Sequence, residues 1–375
     1  MSRKEKTRVR ETAHFPAFEG QAPQPTRPDE NGHGARTAFQ QLVKRLSDAY
    51  GPSGSDDLVR ELVRDEIKSY ADNIRTDALG NLIALRKGSN NGRKKIMVAA
   101  PLDEIGVMVT FLDARGFARI GMLGAVKPLT LLGARVRFEN GVTGVIGRET
   151  RGASRTEIDT QALFLDMGAT SQENAPVRVG DAACFVSEFH ATGDVLVGKA
   201  LGARASCAVL IHTLRQLKKS AHDVYFVFTA QHQVGARGAG AAAFALQPDY
   251  AFTIEPTDAH DIPGGEHSAV ALGQGPAILV QDEYTIASAA ARQWLTQTAR
   301  RIPVPHQFQV HAQGAGDSTP IQATGAGIVT GVIALPTRYL HTSSEMVNER
   351  DVLNASELLL HTLAEKNPNS VPLSY

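Results

Sequence analysis

Residues 225–244 read YFVFTAQHQVGARGAGAAAF, and the way this stretch divides in two indicates the fold class. Tyr225–Thr229 is an unbroken aromatic and β-branched run, the pattern of a strand buried on both faces. Ala239–Phe244 is small and suited to a helix. Gln231, His232 and Gln233 sit at the join, ahead of a Gly-rich turn. A strand, a loop and a helix in that order form one unit of an α/β sheet. Chemistry in such sheets gathers at the C-terminal ends of the strands, so His232 is the first candidate for a functional side chain.

Downstream the rhythm continues. A strand is expected at 250–256, strands near 277–280 and 307–311, and one at 328–334. Helices are expected at 286–301, 318–326 and 350–365. Upstream, 203–219 reads as a helix, 95–112 as two strands broken at Pro101, and 74–88 as a hairpin turning at Gly80-Asn81. Two amphipathic helices precede it at 37–51 and 51–71, the second with Ser55 or Asp56 as its cap. Between 113 and 190 short β-like runs alternate with turn signals, the pattern of a small all-β barrel. The expected organisation is an α/β domain in two pieces, 36–112 and 191–375, interrupted by a β insertion at 113–190. Residues 1–35 are polar, carry Pro16, Pro23, Pro25 and Pro28, and read as a disordered arm.

The bulk numbers narrow the function classes. Of 375 residues, 42% are hydrophobic and 21% charged, as in ordinary globular proteins. Lys plus Arg and Asp plus Glu both number 39, which gives no electrostatic case for nucleic acid or an anionic membrane. No apolar run is long enough to span a bilayer, and the basic N-terminus lacks the apolar stretch of a secretory signal. A cytoplasmic location is expected. Cys184 and Cys207 read as buried small apolar residues.

A series of phrases carries a resemblance. GPSG (51–54), DALGNLIA (77–84), LDEIGVMV (102–109), LLGARV (131–136), VGKAL (197–201), VGARGA (234–239) and LPTRYLHTSSEMV (335–347) are similar in kind and order to the tetrahedral aminopeptidases. These are also called glutamyl or deblocking aminopeptidases and are dinuclear metallopeptidases. The resemblance covers about residues 40–365. It implies an aminopeptidase-like α/β/α domain with an inserted PDZ-like β barrel, and assembly of dimers into a hollow dodecamer.

The same resemblance implies where the metal ligands belong, and there the chain departs from it. Pro101 stands where the first His ligand belongs and has no donor side chain. Gly202 stands at the bridging Asp. His232 stands at the general base, and Gln233 at the adjacent Glu ligand. Glu255 replaces the next Asp, and His341 matches the final His. Asp103 belongs behind the first ligand or, without it, holds a backbone turn. Two dications about 3.5–4 Å apart repel by about 16 kcal/mol at an effective dielectric of 20. With Gly202 in place of the bridging carboxylate, too little negative charge remains to offset that.

Plainer roles stand beside these. His232 can be a hydrogen-bonded histidine beside a turn, Glu255 a cap for the segment after Pro256, and His341 the keeper of a scaffold hydrogen bond. Asp317 in GAGDSTP reads as a helix start. The expected function is that of a relative without dinuclear metal binding or catalysis, serving as a structural, peptide-binding or regulatory subunit. It self-associates or co-assembles with an active relative, and needs no cofactor. The alternative is an active aminopeptidase with one zinc or cobalt ion, held by His232, Glu255 and His341.

Overall fold

The computed structural model describes residues 30–90, 93–149, 159–265, 270–311, 314 and 316–365. The expected arm lies outside them, apart from residues 30–35, which open the helix Glu30–Asp48 instead of remaining irregular. A compact unit starts at Phe39.

The unit is built on an eleven-stranded sheet. Its centre is four parallel strands in the order Asp223–Thr229, Lys95–Pro101, Tyr250–Asp258, Val329–Arg338. The two-residue period of a strand explains why these runs are continuously apolar. Val224, Phe226 and Phe228 face one layer, and Val227 faces the other. Likewise Ile96, Val98 and Ala100 point one way while Met97 and Ala99 point the other. One layer packs the helices Asp57–Ile67, Leu201–Gln216, Ala289–Arg301 and Glu349–Ala364 through Val63, Leu210, Trp294 and Leu358. The other layer is thinner. Arg237–Leu246 lies on the sheet through Ala239, Ala242 and Ala243, with Ile321 beside it. Small residues let this helix come close. At Gly238 a Cβ would lie 2.2 Å from Asn81 Oδ1 and 2.4 Å from the Ala230 carbonyl. The result is the α/β/α sandwich.

Six antiparallel strands close into a barrel. Its core holds Val107, Val109, Leu131, Val136, Leu165 and Ala183. Closure removes the unpaired edges that a small sheet would expose. The barrel strands begin at Gly106–Leu112, which pairs with Ala118–Leu123 and Ala182–Phe185. The expected boundary at 113 therefore falls one strand late. After Asp103 and Glu104 the run Ile105–Val109 is apolar or glycine and reads as one more strand, with no mark of the change from one sheet to the other. No helix among the described residues is long and apolar enough to cross a membrane.

Candidate functional site

The four parallel strands bring their C-terminal ends together, and the candidate residues follow from those ends. Asp223–Thr229 leads into the loop carrying His232, Lys95–Pro101 into Asp103, and Val329–Arg338 into His341. Glu255 lies within Tyr250–Asp258. The His232 loop is tightly specified. Asn81 accepts from the Ala230 N–H at 2.8 Å and donates to the Gly238 carbonyl at 2.9 Å, tying both ends of the loop to the hairpin turn. Gln231 and Ala236 take left-handed conformations, φ 56° and 50°, which residues with a Cβ adopt only under constraint.

Two buried carboxylates hold the loop from behind. Asp103 accepts the N–H groups of His232 at 2.8 Å and Gln233 at 3.0 Å. Asp317 accepts from His232 Nδ1 at 2.8 Å, and its other oxygen takes the Thr229 hydroxyl, which lies 3.1 Å from the Ala100 carbonyl. The expectation that Asp317 caps a helix is corrected here. It precedes Ser318–Gln322 but makes no side-chain capping bond, because its carboxylate is engaged by His232 and Thr229. Asp56 is similar. It occupies the position before Asp57–Ile67 without capping it, and its side chain meets Arg60 at 3.1 Å.

Burial and charge set the protonation states. Burial alone would lower the His232 pKa. The charge and hydrogen bond of Asp317, with Asp103 and Glu255 behind them, outweigh it and raise the group from 6.5 to about 9. At neutral pH the ring is an imidazolium. Glu255 is pushed up to about 7, by burial first and by the Asp317 charge second. It accepts the Ser318 N–H at 2.8 Å. His341 is pulled down to about 4 by burial and sits at φ 64°. Its N–H donates to Glu345 at 2.9 Å, and the other Glu345 oxygen takes the Gly202 N–H at 2.8 Å. Burial lifts Glu345 to about 7.

His232, Glu255 and His341 line one cavity of about 460 Å³. Pro101, Gly202, Gln233 and Asp103 are not among the described residues lining it. Pro101 ends its strand opposite Thr229, and its carbonyl accepts the Cys207 thiol at 3.1 Å. The Gln233 side chain packs beside Gly124, where a Cβ would lie 3.0 Å from that of Gln233. Gly202 lies in the first turn of Leu201–Gln216. A Cβ there would come within 2.6 Å of Pro256 Cβ and 3.1 Å of Leu340 Cδ1. The Pro256 ring fills the space into which a bridging carboxylate would project. Among the described residues, no three His, Cys, Asp or Glu groups cluster as metal ligands. Of the positions that the resemblance gives to metal ligands, Pro101, Gly202 and Gln233 carry no anionic side chain.

A buried ion cluster fixes the loops around Gly202. Glu104 meets Lys199 at 2.7 Å and Arg204 at 3.0 Å. Arg204 also donates to the Leu102 carbonyl, and Lys199 to the Ala49 carbonyl at 2.8 Å. This cluster joins the loop after Pro101 to the start of the helix that carries Gly202. Asp317, Pro256, Leu340 and Glu345 escaped the sequence reading as site residues. Glu345 stood within the LPTRYLHTSSEMV phrase, which was the one available signal for it.

Over residues 80–358 the chain matches the M42 glutamyl aminopeptidase family. It is 32% identical to the lysyl aminopeptidase of Pyrococcus furiosus over 343 residues, 88% of this chain and 97% of that one. Its fold is similar to that of an aminopeptidase from the archaeon Desulfurococcus kamchatkensis, with a TM-score of 0.86 and 35% identity over 90% of this chain and 98% of that one. It is also similar to the Pyrococcus horikoshii TET1 peptidase, which can assemble into a tetrahedron or a large octahedral shell. There the TM-score is 0.79 and the identity 27%, over 87% of this chain and 99% of that one.

Proposed function

We propose that this chain, which belongs to the M42 glutamyl aminopeptidase family, is a member that no longer holds two metal ions and binds peptides without cleaving them. The observation that carries this reading is the contact between Gly202 and Pro256. The position that the family resemblance gives to the bridging carboxylate has no side chain and, with a Cβ 2.6 Å from Pro256, no room for one. Three further features support it. Pro101 and Gln233 offer no anionic ligand. His232, in place of the general base, is an imidazolium bonded to Asp317 and has no lone pair to take a proton. Glu255 is held by Ser318.

The test is hydrolysis of aminoacyl 4-nitroanilides by protein incubated with zinc or with cobalt. The expected rate is that of buffer alone. Turnover that disappears in His341→Ala would overturn the reading.

One observation favours a second reading. A metal-bound imidazole commonly donates its other N–H to a carboxylate, as His232 does to Asp317. With Glu255 and His341 on the same cavity, this is the arrangement a single-ion aminopeptidase would use. That reading requires His232 to be neutral, and stoichiometric metal with turnover would establish it.

Self-association belongs to the same proposal. As the TET1 neighbour can form closed shells, dimers of this chain build a dodecamer, alone or together with an active relative. Light scattering on the purified chain reads the mass directly, and a monomer at micromolar concentration would count against it.

A further inference from the structure

The eleven-stranded sheet has an open edge at Gln307–Val310. This strand pairs in parallel with Ala277–Gln281 on one side and, among the described residues, with nothing on the other. The Gln307 N–H donates to the Pro276 carbonyl at 2.9 Å, and the His311 N–H to the Gln281 carbonyl at 3.0 Å. Backbone groups of successive strand residues point to opposite sides. The N–H and C=O groups of Phe308 and Val310 are therefore directed away from the sheet. Their side chains are uncovered too, 44% and 68% exposed. Tyr284 and Ile286, in the turn after Ala277–Gln281, are also exposed.

Proteins that keep such an edge unpaired blunt it with charge or keep it very short. The other outer strands follow that rule. Asn73–Thr76 carries the exposed Arg75, and His190–Thr192 has three residues. The run Gln307–His311 contains no Lys, Arg, Asp or Glu. A two-fold contact sets groups near its axis against their own copies, so an edge without charge meets itself with no like-charge repulsion. The register closes as well. With the axis at Gln309, Phe308 lies opposite Val310 of the second copy, and Val310 opposite its Phe308. Both residues carry outward N–H and C=O groups, so each pair exchanges both bonds of an antiparallel ladder. An aromatic side chain opposite a β-branched one is a favourable cross-strand pair. Gln309 and His311, which line the cavity, alternate to the other face of the strand, and the cavity keeps its wall.

We propose that the open edge of Gln307–Val310 pairs antiparallel with the same strand of a second copy about a two-fold axis at Gln309, joining two sheets into one. This rests on the self-association proposed above and names the surface that carries it. Phe308 and Val310 of both copies then form one apolar cluster on the face away from the cavity.

Val310→Lys in the full chain tests this, since an exposed position accepts lysine without burdening the fold. Light scattering across a dilution series reads association, and amide hydrogen exchange resolved to residues 308 and 310 reads the edge itself. In the unaltered chain both amides are expected to be protected. In Val310→Lys they are expected to exchange about tenfold or more faster, and half-association to need about tenfold or more protein. If other contacts keep the mass of the variant unchanged, loss of protection at 308 and 310 still supports the pairing. Fast exchange at both amides in an unaltered chain that does associate would overturn this surface while leaving self-association in place, as would equal protection in the variant. An unaltered chain that stays monomeric at micromolar concentration would remove both. Protection that arises only on adding acetylated pentaalanine would assign the edge to extended peptides and overturn the pairing of copies.

Discussion

Replacing Asp317 by Asn tests the electrostatics of the cleft most sharply. His232 passes from 6.5 in the unfolded chain to about 9 in the folded one, a difference that converts to about 3 kcal/mol. Because the folded pKa is the higher one, this stabilisation is fully present below pH 6.5 and is lost as pH rises through 9. In Asp317→Asn the largest raising influence is gone, burial prevails, and the imidazole is neutral at pH 7. Part of the loss is offset. The Asp317 charge also raises Glu255, and that carboxylate ionises more easily in the variant. The expected net destabilisation is about 2 kcal/mol at pH 7, shrinking to about 1 kcal/mol at pH 10, where the ion pair is gone and only the hydrogen bond from a neutral imidazole distinguishes the two proteins. Urea unfolding followed by circular dichroism at pH 6, 8 and 10 measures it, with imidazole proton shifts reporting His232 itself. A stability difference that does not change with pH would refute the assignment of an imidazolium at His232.

Two further substitutions probe the surrounding packing. Gly202→Asp is expected to destabilise by about 1–3 kcal/mol through its clash with Pro256 and to take up no zinc. A folded variant that gains stoichiometric zinc would show that the space is open after all. Glu104→Gln leaves Lys199 and Arg204 buried without their anion and is expected to cost about 3–5 kcal/mol in thermal or urea unfolding. A loss below about 1 kcal/mol would mean that the cluster does not tie the loops together.

The architecture was legible because it rests on local rules. The two-faced burial of Tyr225–Thr229, the break at Pro101 and the hairpin at Gly80-Asn81 are each consequences of neighbouring residues. The layering of Phe226 against Val227 follows from the two-residue period alone. The site was less legible because its decisive contacts are long-range. Nothing near Asp317 indicates that it reaches His232, and a Gly-rich run ending in Asp-Ser-Thr-Pro is also what a helix start looks like. The Pro256 ring over Gly202 is likewise a meeting of a strand end with a helix start. The change of sheet at Gly106 was hidden for a different reason, since an apolar strand reads the same in a barrel as in a sandwich.

Elemental analysis of protein purified without chelators, then equilibrated with excess zinc or cobalt and desalted, bears most directly on the proposal that this chain holds no metal pair. With Gly202 closed off by Pro256 and His232 carrying a positive charge, well under one ion per chain is expected. Two tightly bound ions per chain would contradict it.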